Sequence, residues 1–338
     1  MQKIAISGLN ATDNPAPGIS VAKSLQDEFE IIGLSYNPNE PGNYLDAISK
    51  SYLMPYPSLG IDELLIRLEE IKEKENLFML IPCLDLELPL YIKYQEKIEA
   101  LGIKVVLPSP LTFDLRNKNK LPSLAKVLEV NHPKTYELSS LKNLEELSSK
   151  LNYPFMLKGN AHQASKVESG ESAKKVSELI SREWGFPLLL QEIIKGDELN
   201  LVAIGDGKGN LIGAVTIKKL TTTTLGKIWT GVSIHHTGMM ELAQRFVKET
   251  SWRGAFELEC MIQDNKLYLI EINPRFPSWI YFATAIGVNL PKQLVNLVNN
   301  VPIKDSFTYP TGKLYVRFTD EIITDFSDFS TLMIEKEL

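Results

Sequence analysis

The chain has 338 residues, 44% of them hydrophobic and 23% charged, with a net charge of −6. That length suggests two or three domains with room for a cleft between cores, and the composition is that of an ordinary globular protein. The acidic balance and the lack of a Lys/Arg-rich run exclude a nucleic-acid backbone from the expected partners, and no apolar run is long enough for a membrane span.

Met1-Gln2-Lys3 leads straight into a strand instead of a signal peptide, so a cytoplasmic protein is the expectation. Cys83 and Cys260 both sit in apolar, strand-like contexts and offer neither a disulfide framework nor a metal spacing. Lys3-Ile4-Ala5-Ile6-Ser7-Gly8 predicts a short buried strand running into a loop, Gly8 to Gly18, rich in Gly, Pro, Asn and Asp, and a helical pattern follows from Ile19 to Phe29. Strand, glycine loop and helix begin an open parallel α/β sheet. The GxGxxG spacing of a dinucleotide site is absent. Strands over Glu30 to Tyr36, Phe78 to Cys83 and Ile103 to Leu107 alternate with helices over Ile61 to Lys74 and Leu88 to Leu101. Ligands of such sheets gather beyond the carboxyl ends of the strands, which singles out Asn10 to Pro17 and Leu84 to Glu87. Asp85 has two readings: a carboxylate for a substrate ammonium group, or an N-cap for the helix that follows.

Arg116-Asn117-Lys118-Asn119-Lys120 precedes an amphipathic helix, Leu121 to Val130. Tyr153 to Lys158 predicts an apolar strand ending in a lysine, whose stem can pack while its ammonium reaches a phosphate. Leu188 to Ile194 is a second apolar strand, continuing into Lys195-Gly196-Asp197-Glu198. Leu199 to Ile204 and Leu211 to Lys218 predict a hairpin over a Gly/Asp/Asn turn. Thr221 to Gly231 reads as a mobile loop. The adjacent His235 and His236 point to opposite strand faces, so they cannot both line one site. The helix Met239 to Thr250 packs through Leu242, Phe246 and Val247.

Residues 254 to 279, GAFELECMIQDNKLYLIEINPRFPSW, carry the chemistry. They predict two strands around the polar turn Gln263-Asp264-Asn265-Lys266. Glu271 and Asn273 share one face of the second strand. A hairpin centred on Asn265 places Glu259 opposite Glu271; a turn centred half a step earlier puts the two carboxylates on opposite faces. The second strand is apolar on both sides, which marks it as buried. Unpaired buried charge is costly, and a hard divalent cation sharing these oxygens with phosphates supplies the compensation. The bland alternative is an acidic hairpin with a solvated face. Arg275, projecting to the same side, suits a phosphate or carboxylate oxygen.

Glu259 followed after the hairpin by Glu271-Ile272-Asn273-Pro274-Arg275 resembles the magnesium-binding end of the ATP-grasp ligases, a superfamily that includes biotin carboxylase, carbamoyl phosphate synthetase and the D-alanine ligases. The resemblance implies an α/β open parallel-sheet domain over residues 1–115, then an α+β ATP-grasp fold of two subdomains clasping ATP over 116–300. A C-terminal strand and tail, 301–338, would pack on the ATP-grasp part. It implies magnesium (with manganese as a substitute) at Glu259, Glu271 and Asn273, and phosphate-contacting lysines at Lys118, with Lys120 as a shifted alternative, and Lys158. It places adenine against the backbone of Glu192, Ile193 and Ile194, with Ile194 on its face, and the ribose hydroxyls on Glu198, since a carboxylate can accept two hydrogen bonds from a diol. Lys218 and Arg275 would serve the transferring phosphoryl group, and Ser278 and Trp279 would shape the acceptor pocket. Two departures stand out: Asn117 replaces the usual Asp, and Gly159 to Lys166 has one glycine where relatives carry a glycine-rich flap. In that flap His162, Ser165 and Lys166 could contact phosphate by side chains. A third, the missing glutamate of the valine–glutamate–histidine stretch after Arg275, lowers the carboxylase reading.

The activity so implied is an ATP-dependent carboxylate–amine ligase, forming an amide or peptide-like bond through an acyl phosphate and releasing ADP and phosphate. Its partners are small-molecule carboxylates and amines, with a homodimer as the assembly common among relatives. The rivals are bicarbonate or carbamate phosphorylation, as in carbamoyl phosphate synthetase, and an ATP-binding regulatory protein with weak turnover.

Overall fold

The structure is a computed structural model that describes every residue except 13, 160–162 and 303–305. The chain separates into two compact units, the first of residues 1–112, 201–257 and 273–338, the second of residues 113–200 and 258–272. Among the described residues, no helix is long and apolar enough to cross a membrane.

In the first unit β1 (Lys3–Ser7), β2 (Glu30–Ser35), β3 (Lys50–Leu53) and β4 (Met79–Ile81) form a parallel sheet in the order β3-β2-β1-β4. Ile4, Ala5 and Ile6 are wholly buried, as an uninterrupted apolar strand covered on both faces must be. Two glycines shape the loop after β1. Gly8 has φ +75°, and a Cβ on Gly18 would lie 2.1 Å from the carbonyl oxygen of Ser7. Glycine therefore lets the helix Gly18–Leu25 start directly against the strand end. The strand expected over Ile103 to Leu107 reduces to a parallel bridge between Lys104 and Met79. The helix expected over Leu88 to Leu101 breaks at Tyr94, which leaves the helical region at φ −116°, giving Leu88–Lys93 and Gln95–Ala100.

The second unit holds an antiparallel sheet of β5 (Thr135–Leu138), β6 (Phe155–Gly159), β7 (Ala164–Val167) and β8 (Leu188–Glu192), in the order β5-β8-β6-β7. The helix Gly170–Trp184 opens with a reciprocal Ser169–Ser172 capping box. Its buried residues Ala173, Ser177 and Ile180 fall at helical spacing, and its two apolar ones join a core with Phe155, Leu157, Leu188 and Leu190.

A six-stranded sheet runs in the order β13-β12-β9-β10-β11-β14: β9 (Asp197–Asp206), β10 (Leu211–Thr222), β11 (Ile228–Ile234), β12 (Arg253–Gln263), β13 (Lys266–Asn273) and β14 (Leu314–Val316). The stretch expected as a mobile loop, Thr221 to Gly231, is largely the end of a long hairpin, because β10 continues to Thr222 and β11 resumes at Ile228. The tail, assigned from sequence to the nucleotide-binding part, pairs through β14 with β11 but at its very end with β3: Ser51 N donates to Leu338 O at 2.9 Å and Leu338 N to Ser51 O at 2.8 Å. That pairing covers an otherwise open edge of the parallel sheet.

Candidate nucleotide and cation site

The second unit gathers five charged groups. Lys158, on β6, donates from Nζ to Gln191 Oε1 at 2.7 Å, and Gln191 Nε2 donates onward to Thr135 Oγ1 at 3.0 Å. This relay crosses β6, β8 and β5, so the ammonium is held by the sheet itself. Burial, then the positive charge of Lys118, pulls the Lys158 pKa down to about 8, against the opposing pull of Glu271, Glu259 and Glu198. Lys118 Nζ lies 3.3 Å from Glu271 Oε1. Of the two lysines left open by sequence, Lys118 enters this cluster, while Lys120 pairs with Asp114, which also accepts from Asn117 Nδ2. Of the flap, residues 160–162, His162 among them, lie outside the described residues. Lys166 pairs with Glu168 at 2.9 Å.

The strand end at Glu192 is tied twice to the segment before β5. Glu192 N donates to Lys134 O at 2.9 Å, and Glu192 Oε1 accepts from Lys134 N at 2.7 Å. Ile193 and Ile194 are half-buried, and Glu198 stands at the start of β9. Between them the chain presses onto the tip of β12: a Cβ on Gly196 would lie 1.9 Å from Ile262 O, and Lys195 N donates to Gln263 Oε1 at 3.1 Å.

The turn between β12 and β13 is the two residues Asp264 and Asn265, at φ +49° and +59°, which is the pattern of a type I′ hairpin. The turn is thus centred half a step earlier than the register expected from sequence, and a regular ladder from it would put Glu259 and Glu271 on opposite faces. The side chains say otherwise. Asn273 Nδ2 donates to Glu257 Oε2 at 2.9 Å, and both Glu271 and Glu259 act on Lys158.

In the first unit Asn273 is 8% exposed and Glu257 is 3% exposed. Trp279, expected to shape an acceptor pocket, is instead core: it is 2% exposed, and its Nε1 donates to Glu257 Oε1 at 2.8 Å. Ser278 accepts from Arg317 Nη2 at 2.8 Å. Arg275 donates from Nη2 and Nε to Asp85 Oδ2, at 2.8 and 3.1 Å. Asp85 therefore does not act as the N-cap, a position held by Glu87 without a side-chain cap bond. The buried Glu87, which sequence reading passed over, accepts from Ser7 Oγ, from Cys83 N at 3.0 Å, from Leu84 N at 3.1 Å and from Tyr36 OH at 2.7 Å. These bonds anchor the loop that carries Asp85 to the ends of β1, β2 and β4. Lys218, opposite Val232 in the β10–β11 ladder, is half-buried. Gln191 and Glu257 also escaped sequence reading. Their one signal was a polar residue inside an apolar strand, two positions from a recognised neighbour for Glu257.

A family model described as "ATP-grasp in the biosynthetic pathway with Ter operon" matches residues 186–321, the stretch holding Glu198, Glu259, Glu271 and Asn273. Over that stretch the chain is similar to the ATP-grasp proteins. Its ATP-grasp fold also aligns with solved structures: a biotin carboxylase from Campylobacter jejuni in complex with β,γ-ATP (TM-score 0.70, 16% identity, 90% of this chain and 72% of that one) and an L-amino acid ligase from Bacillus licheniformis (TM-score 0.66, 17% identity, 88% and 74%). Among curated proteins it is similar to the carbamoyl phosphate synthase large chain of Clostridium acetobutylicum, 23% identical over 295 residues, which is 82% of this chain but 26% of that relative. The chain thus spans about a quarter of the length of that curated relative.

Proposed function

We propose that this ATP-grasp protein is an ADP-forming carboxylate–amine ligase using ATP and magnesium. One observation carries the reading: two lysines and three glutamates share one electrostatic neighbourhood around Lys158. Two ammonium groups and three carboxylates, with Lys118 Nζ 3.3 Å from Glu271 Oε1, suit a ligand bearing both signs, and a polyphosphate with its divalent cation is such a ligand. Lys118 and Lys158 meet phosphate oxygens, Glu192 to Ile194 offer backbone and apolar contact to adenine, and Glu198 takes the ribose diol. Glu259, Glu271 and Asn273 supply oxygen donors only, which suits a hard cation. Among the described residues no three His, Cys, Asp or Glu side chains gather as a metal cluster; two carboxylates and one carboxamide leave further positions to phosphate and water. When bound, magnesium would offset phosphate charge and orient the terminal phosphate.

The protein then works by positioning and charge, not by a side-chain nucleophile. A substrate carboxylate attacks the terminal phosphorus, ADP leaves, and an amine displaces phosphate from the acyl phosphate. Asp85 and Arg275 are the proposed acceptor-side pair in the first unit, with a carboxylate for an ammonium and a guanidinium for a carboxylate or acyl phosphate. The likeness to carbamoyl phosphate synthase large chains keeps bicarbonate as the competing first substrate. The test is ADP release across a panel of amino acids, with and without bicarbonate. Amino-acid-dependent ADP release that is abolished by Glu271→Gln supports the ligase; release with bicarbonate alone selects the competing reading. Activity surviving Glu271→Gln and Asn273→Ala together would sink the site assignment.

A further inference from the structure

The orientation of the Asn273 carboxamide is decided by its neighbours. Trp279 Nε1 can only donate, and it donates to Glu257 Oε1 at 2.8 Å. The other carboxylate oxygen, Oε2, accepts from Asn273 Nδ2 at 2.9 Å. With Glu257 ionised, Oε2 has no proton to give, and Asn273 turns its NH2 group toward it. Its carbonyl oxygen Oδ1 then lies on the opposite branch of the amide. All three residues are buried, Trp279 at 2%, Glu257 at 3% and Asn273 at 8% exposure, where a polar group turned away from its partner is costly, so these bonds favour one orientation of the amide.

We propose that Glu257 is a positioning residue for the cation site. By accepting the amide N–H of Asn273, it commits Oδ1 to the metal, while Trp279 keeps Glu257 in place from behind. The inference rests on the cation reading above but concerns a residue outside the proposed ligand set. Partners behind metal ligands typically change metal affinity by about 10–100-fold when altered. A purely structural Glu257 would change folding and leave the polarity of the amide irrelevant.

The experiment exploits that polarity. In Glu257→Gln, the new Oε1 still accepts from Trp279, but the new Nε2 donates, so Asn273 must flip and present its NH2 to the cation. Adding Asn273→Asp to Glu257→Gln restores an oxygen donor and exchanges the two charges without changing their sum. Binding of Mn2+ to the full chain, in the presence of a non-hydrolysable ATP analogue, is followed by electron paramagnetic resonance, with folding checked by thermal melting. The expected result is a loss of Mn2+ affinity of about 10–100-fold in Glu257→Gln, with nucleotide binding in the absence of metal unchanged, and recovery of most of that loss in the double variant. If the single variant fails to fold, the double variant still decides the matter through its Mn2+ affinity relative to Asn273→Asp alone: higher supports the proposal and equal or lower overturns it. Wild-type Mn2+ affinity in Glu257→Gln, with affinity lost in Asn273→Ala, overturns this inference and leaves the cation site standing. No Mn2+ binding by the wild-type chain overturns the cation reading and this inference with it.

Discussion

Lys158, proposed above to meet phosphate, carries its ammonium in surroundings that disfavour charge. Its pKa of about 8 lies below the ordinary lysine value of 10.5 because burial and Lys118 both disfavour the charged form. Between those two values the unfolded chain binds more protons than the folded one, so this group's contribution to stability rises with pH through that window. Nucleotide binding has the opposite sign. Phosphate needs the ammonium form, so above about pH 8 binding takes up a proton and affinity falls by at most roughly tenfold per pH unit. Calorimetric titration between pH 7 and pH 9.5 in buffers of differing ionisation enthalpy should show this, and Lys158→Met should bind weakly with that pH dependence removed. Lys158, Glu259 and Glu271 were legible in sequence because a charged residue in an apolar strand is conspicuous. Glu257 is just as conspicuous, yet only the side chains across the hairpin reveal that it faces Asn273.

At the scale of the element, the turn at Gly196 is a contact between backbones. With 1.9 Å between a would-be Cβ and Ile262 O, an alanine must push the β12 tip away. Gly196→Ala is expected to cost roughly 1–3 kcal/mol, as overpacking at a rigid site does, and to weaken nucleotide binding by shifting Glu198. Gly170→Ala is the control, since its Cβ would meet only Tyr153 OH at 3.7 Å and alanine favours a helix. Chemical denaturation of both variants checks the contrast; equal stabilities would show that the β12 tip yields freely. The hairpin itself teaches a similar lesson. Its strands were readable from their alternation, but the two-residue turn and the facing of Asn273 and Glu257 depend on cross-strand contacts that a linear pattern does not contain.

At the scale of the whole molecule, the acid limit of stability should be set in part by Glu75. Burial raises its pKa, but hydrogen bonds from Lys3, Lys50 and Tyr52 outweigh that and hold it at about 2. A depressed carboxylate pKa contributes stability that is complete above the ordinary 4.5 and is lost as pH falls toward 2. Urea midpoints measured from pH 7 down to pH 2 should therefore fall more steeply for the wild type than for Glu75→Gln, which begins less stable at neutral pH; parallel curves would remove Glu75 from the account. None of its three partners is near it in sequence, the nearest being Tyr52, and so the hub was invisible beforehand. The same holds for the tail on β3 and for the core position of Trp279. By itself the sequence determined the first strand and its glycine loop and the two strands of the 254–273 hairpin, because hydrophobic period, turn residues and strand alternation are written over a few neighbouring positions. The burial it implied for β13 does not hold, since that strand lies at the sheet edge and is largely half-exposed. Only the tertiary structure decided that Lys118 and not Lys120 joins the charge cluster, that Glu257 orients Asn273, and that Asp85 faces Arg275. Those outcomes depend on which distant side chains share a space, and that is set by strand pairing and core packing.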